Sequence, residues 1–186
     1  MFGWIILGLV VLLVLWLIVV YNRLVALRQT TGQAWSDVDV QLKQRHDLIP
    51  NLVETVKGYA AHERGTLDAV VQARNAALAA KGPEAQGAAE GVLGGALGRL
   101  FALAESYPDL KANTNFLQLQ GELSDLENKI AAARRFYNNA VAEYNAMTES
   151  VPAVFFAGTM GFQQRGFFEL PEAERAAVQV VPQVRF

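Results

Sequence analysis

FLQLQGELSDLENKIAAARRFYNNAVAEYNAM, residues 116–147, decides the fold. Its apolar positions are Phe116, Leu119, Leu123, Leu126, Ile130, Ala133, Tyr137, Ala140, Tyr144 and Met147, and they alternate steps of three and four. Such steps return to one face of an α-helix, so the stretch predicts one long helix with a heptad seam. The outer positions carry Glu122, Asp125, Glu127, Lys129, Arg134 and Arg135. Thirty-odd residues make a rod of roughly 45–50 Å.

Upstream, the same period runs through Leu24, Leu27, Thr31, Ala34, Val38 and Leu42. It predicts a helix to about Arg45, weakened locally at Gly32. Pro50 interrupts the pattern. A proline lacks the backbone donor and restricts its predecessor, so a kink or boundary is expected near Asp47–Pro50. The pattern resumes through Leu52, Val56, Tyr59, Leu67, Val70 and Val71 to about Ala80. Lys81-Gly82-Pro83-Glu84 breaks it. A third apolar stretch, Glu90 to Glu105, holds Gly91, Gly94, Gly95 and Gly98 and is closed by Tyr107-Pro108-Asp109. No strand alternation with hairpin turns occurs, so the class is all-α.

The start of the chain is of another kind. Phe2 to Val20 is an unbroken apolar run with glycine and no charge. Nineteen residues at about 1.5 Å rise span roughly 28 Å, close to a hydrocarbon core of about 30 Å. Trp4 marks one end, and Trp16 and Tyr21 the other, as expected of interfacial aromatic rings. A cleaved signal peptide is the rival. The run exceeds a usual h-region of roughly 7–15 residues, no Lys or Arg precedes it, and no small-x-small site follows. A retained transmembrane anchor is therefore expected, in contact with lipid through residues 2–20. A lipoprotein anchor needs a cysteine, and the chain has none. Arg23 and Arg28 follow the run before any acid, then Lys43 and Arg45. The positive-inside rule predicts the N-terminus outside and the bundle in the cytoplasm. The expected organisation is an anchor over residues 1–21 whose helix continues nearly unbroken into an antiparallel three- to four-helix bundle of long helices over 22–150, and an extended aromatic-rich tail over 151–186. A short helix near Pro171–Val178 is the one periodic feature of that tail.

The net charge of −2 gives no basic face for nucleic acid. The lack of cysteine excludes a disulfide framework, a thiol nucleophile and a thiolate metal site. A di-metal bundle needs Glu-x-x-His pairs. Lys43 and Tyr59 stand three residues before His46 and His62, so neither pair exists. Both histidines are read as surface or interface residues. Ser36, Ser106, Ser124 and Ser150 lie in no nucleophile elbow. Neither an enzyme nor a cofactor is expected.

Two groups invite an interaction. Gly91, Gly94, Gly95 and Gly98 contain two Gly-x-x-x-Gly pairs, which let helices approach closely. They fit helix–helix association, lipid contact, or a close-packed connecting helix within the bundle. The tail's Phe155, Phe156, Phe162, Phe167 and Phe168 are more aromatic surface than a monomer leaves in water. They are expected to fold back, or to dock on a neighbouring subunit or the bilayer, with subunit docking slightly preferred. Arg45, Asp47 and Asn51 at the proline, and Asn113, Asn115, Asn138 and Asn145 along the long helix, are read as fixing register.

Several motifs together resemble a known family. Tyr21-Asn22-x-Leu24 follows the anchor. Trp35-Ser36-Asp37-Val38-Asp39-Val40-Gln41-Leu42-Lys43-Gln44-Arg45 leads to Asp47-Leu48-Ile49-Pro50-Asn51-Leu52-Val53. Tyr107-Pro108-Asp109-Leu110-Lys111-Ala112-Asn113, Leu119-Gln120-x-Glu122-Leu123, Ala133-Arg134-Arg135-Phe136-Tyr137-Asn138, Tyr144-Asn145 and Gly161-Phe162 complete the set. Over nearly its whole length the chain closely resembles the LemA family of bacterial inner-membrane proteins. The resemblance implies an N-terminal anchor, an antiparallel helical bundle and no established enzymatic activity. It also implies a role in the bacterial envelope, with some members linked to membrane stress or to specialised membrane compartments. Many members carry a basic, proline-containing stretch after the Gly-Phe. Here it is Gln163-Gln164-Arg165-Gly166, a departure from that pattern. The leading expectation is a membrane-anchored scaffold or adaptor forming a homo-oligomer. The alternative is a regulatory partner of a membrane protease or envelope-stress signalling system.

Overall fold

The computed structural model describes residues 2–169, and among them every regular element is helical. Helix α1 runs Phe2–Lys57, α2 Arg64–Ala79, α3 Pro83–Ala104, α4 Pro108–Lys111 and α5 Thr114–Glu149, followed by a 3-10 turn at Ala153–Phe155. The stripe Leu24, Leu27, Thr31, Ala34, Val38 and Leu42 is buried throughout. Every residue of the predicted α5 seam is buried or half-buried. The expected helix near Pro171–Val178 lies outside the described residues.

The chain divides into two compact units, with the division inside α1 after Val38 and inside α5 after Ala132. The first comprises 2–38 and 133–166 of the described residues. Here α1 and α5 run antiparallel: Arg23 pairs with Glu143, and the Trp35 ring lies 5.2 Å from that of Tyr137. Val20, Leu24, Leu27, Tyr144, Ala153, Ala157 and Phe162 form its core. Residues 2–19 of α1 are exposed apart from half-buried Leu17. By length and composition α1 is the one helix among the described residues able to cross a membrane.

The second unit comprises 39–132 and 167–169. Its core joins Ile49, Leu52 and Val56 of α1 with Leu67 and Val70 of α2, Leu93, Leu97 and Leu100 of α3, and Phe116 and Leu123 of α5. Gly82 takes φ +83° and Pro83 occupies the first turn of α3, which gives the sharp turn between α2 and α3. Asn113 caps α5: its Oδ1 accepts the Phe116 N–H at 3.0 Å.

Two expectations need correction. Of the kink or boundary expected near Asp47–Pro50, the boundary is not found: α1 continues through Pro50 to Lys57. Proline deprives the carbonyl four residues earlier, that of His46, of its helical donor. Arg74 Nε of α2 donates to that carbonyl at 2.7 Å, so the orphaned acceptor is satisfied from a neighbouring helix. The second correction follows from the first. The apolar pattern from Leu52 to Ala80 is two helices, because the chain leaves α1 at Gly58 and turns through residues 58–63 before α2. Glycine favours that exit, having the least helix propensity after proline.

Candidate functional site

Three ionisable side chains are buried together in the second unit: Arg45, His46 and Glu90, each 3% exposed. Arg45 lies on the inward face of α1, one helical step from the buried Leu42 and Ile49. Its guanidinium pairs with Glu90 of α3 through Nη2 and with Glu127 of α5 through Nη1. His46 Nε2 lies 2.8 Å from the other Glu90 oxygen. Gln86 Nε2, one turn earlier on α3, donates to that same oxygen at 2.7 Å and to the Ala77 carbonyl of α2 at 3.1 Å. With the Arg74 contact to the His46 carbonyl, this cluster ties α1, α2, α3 and α5 at one level.

Its electrostatics follow from burial and pairing. Desolvation alone would push the Glu90 carboxyl up. The His46 hydrogen bond and the Arg45 charge outweigh it and hold Glu90 below the ordinary carboxylate range. Desolvation likewise opposes the Arg45 charge, and Glu127 and Glu90 more than offset it, so the guanidinium sits above its usual value. The result is a buried ion pair with its acceptor oxygens filled by protein donors. Such a group holds helices in register rather than offering an open position to a substrate. Among the described residues no group of three or more His, Cys, Asp or Glu could hold a metal ion.

The reading of both histidines as surface or interface residues is therefore corrected at His46, which is interior; His62 is exposed. A histidine beside a proline carries no local sign of burial. Its partner Glu90 sits in the glycine-rich third helix, remote in sequence. Of the residues read as fixing register at the proline, Arg45 is buried, whereas Asp47 and Asn51 are exposed. On α5, Asn145 holds the tail in place. Its Nδ2 donates to the Arg165 carbonyl and its Oδ1 accepts the Arg165 N–H, both at 2.9 Å. The Tyr137 hydroxyl donates to the Gly166 carbonyl at 2.9 Å. Asn113 caps α5 and also donates to the Tyr59 hydroxyl at 2.9 Å. Asn138 is half-buried and Asn115 exposed.

The candidate interaction residues do not form one surface. Gly91 is buried and Gly94 half-buried, while Gly95 and Gly98 are exposed, with nothing within 4 Å of where a Cβ would stand. Phe162 and Phe168 are buried. The Phe162 ring packs edge-on against Tyr21 at 5.6 Å, with the Arg28 guanidinium 5.0 Å from its centroid. Phe156 is half-buried, and Phe155 and Phe167 are exposed.

These observations define a class: a helical-bundle protein carried on one apolar helix long enough to cross a membrane. The sequence model of the LemA family matches residues 34–186, and the chain belongs to that family. It is similar to magnetosome protein MamQ 1 of Paramagnetospirillum magneticum, at 26% identity over 80% of this chain and 64% of that protein. It is similar to MamQ of Magnetospirillum gryphiswaldense at 25% identity, over 88% of this chain and 70% of that protein. Protein LemA of Metamycoplasma hominis is 27% identical over 84% of this chain and 72% of its own length. The chain thus spans about two thirds of the magnetosome relatives it matches. None of these names denotes an enzyme. Together with the apolar helix they indicate a membrane-associated protein.

Proposed function

We propose that this chain is a non-enzymatic scaffold or adaptor, tethered to the bacterial inner membrane through residues 2–20 and self-associating there. One observation carries the reading: α1 passes without a break from an exposed apolar segment of bilayer length into the stripe that packs against α5. Residues 2–19 gain almost no cover from the other described residues, and lipid is the solvent that suits them. The buried Glu90 carboxylate has both oxygens taken by Arg45, His46 and Gln86, which supports an architectural rather than a catalytic use. Self-association finds support on α3, where Gly95 and Gly98 beside exposed Val92 leave room for a facing helix. Arg23 and Arg28 favour a cytoplasmic bundle with the N-terminus outside. The relatives named for the magnetosome fit a tethered protein of a membrane compartment.

Co-expression of tagged and untagged full-length chains, followed by extraction in native lipid and capture on the tag, tests the reading. The untagged copy is expected to be retained, and Gly95→Leu with Gly98→Leu to reduce that retention. Capture of no untagged copy, with one different protein in fixed stoichiometry instead, would replace the scaffold by a regulatory partner. Protease added to the outer face should leave the bundle intact; its digestion there would reverse the proposed orientation.

A further inference from the structure

We infer that the turn formed by residues 151–161 is a second membrane contact: an apolar wedge that enters the headgroup boundary of the same bilayer beside the emerging α1. The inference rests on the reading that residues 2–20 span the bilayer. Four large apolar side chains, Val151, Val154, Phe155 and Met160, are exposed on this one turn, Val151 by 72% and Phe155 by 78%. Between Glu149 and Arg165 the chain carries no charge. That combination is unusual for a solvated turn and ordinary for an interfacial one.

The position of the turn supplies its occupant. Ala153 and Ala157, on its inner side, share one core with Val20, Leu24 and Leu27. Those three residues lead from the last residue of the apolar run through the two turns of α1 that follow it, a rise of about 10 Å from Val20 to Leu27. The polar interface of a bilayer is roughly 5–7 Å deep on each side, and interfacial helices bury their apolar face by about 5–10 Å. The inner side of the turn is thus fixed to the segment of α1 that crosses this layer. Phe162, lying against Tyr21 and under Arg28, holds the far end of the turn at the same level. Its uncovered side chains stand at the level where α1 leaves the apolar run, and a lipid surface is the environment that covers them.

The chain contains no cysteine, so single labelling sites can be introduced without other changes. Full-length protein carrying Phe155→Cys or Met160→Cys, labelled with bimane, is placed in vesicles of phosphatidylethanolamine and phosphatidylglycerol. Some vesicles contain a lipid with a nitroxide high on its acyl chain. The expected result is a blue-shifted label quenched by the nitroxide lipid and protected from aqueous iodide. Asp68→Cys on α2, which is exposed in the bundle, should be quenched by iodide alone. A Phe155 label open to iodide overturns the inference. So does one protected from both quenchers, which would mean that protein covers it, as in docking on a second copy. Leu12→Cys separates the two levels of the argument. If that label is open to iodide, the span itself fails and the wedge with it; if it is quenched by lipid while Phe155 is not, only the wedge fails.

Discussion

At the residue scale, Glu90 is the keystone of the second unit, since it receives Arg45, His46 and Gln86 in one buried place. Removing one partner of a buried ion pair leaves the other charge uncompensated, at a cost of about 3–5 kcal/mol. Glu90→Leu should therefore lower unfolding free energy by that order in a denaturant titration. Arg45→Met combined with Glu90→Leu should recover part of the loss. The depressed carboxyl of Glu90 also fixes a pH dependence. A group whose folded pKa lies below its unfolded value stabilises above that unfolded value, about 4.3 for Glu, and the stabilisation fades as pH falls through the folded value. The difference in stability between the protein and Glu90→Gln should accordingly be constant near neutrality and shrink below about pH 4. A difference that grew with acidity would contradict the assignment. Arg45 was read as a structural residue from its place beside Pro50 at the end of the buried stripe. His46 was not, because its burial is decided by a carboxylate on another helix.

At the scale of the elements, Pro50 and Arg74 act as a pair. Arg74→Ala leaves the partly buried His46 carbonyl without its donor, which costs about 1 kcal/mol. Pro50→Ala restores the helical N–H to that carbonyl. The second substitution should therefore cost nothing and should relieve much of the first, a coupling that a double-mutant cycle measures directly. Additive effects would mean that Arg74 does not substitute for the missing donor. This explains where reading the sequence failed: Pro50 is a breaker by every local rule, and its compensation comes from α2. The stripe from Leu24 to Leu42 and the α5 seam were legible because their periodicity is local and each buried residue declares itself by spacing. The second element-scale prediction concerns α3. A Cβ added at Gly87 would run into the backbone carbonyl of Glu169. Gly87→Ala should therefore loosen residues 167–169, measured as faster amide exchange there with the α1–α3 core still protected; unchanged exchange would contradict the close approach. The exposed Gly95 and Gly98 tolerate a side chain within the monomer, and any effect of bulk there belongs to assembly.

At the scale of the whole molecule, the proposed function is that of a chain tethered by an apolar helix that associates with copies of itself at the membrane. Its class was readable from the long apolar run and two helical stripes. Its candidate site was readable only in part, since the motifs marked Arg45, Asn113 and Asn145 without revealing their partners. What covers the remaining exposed apolar surface lies outside the chain, and spacing within one chain does not encode it. The most direct measurement is the mass of the full-length protein extracted together with its own lipid. The account predicts a discrete particle of many copies, reduced in size by Gly95→Leu with Gly98→Leu. A particle holding a single copy, unaffected by those substitutions, would contradict it.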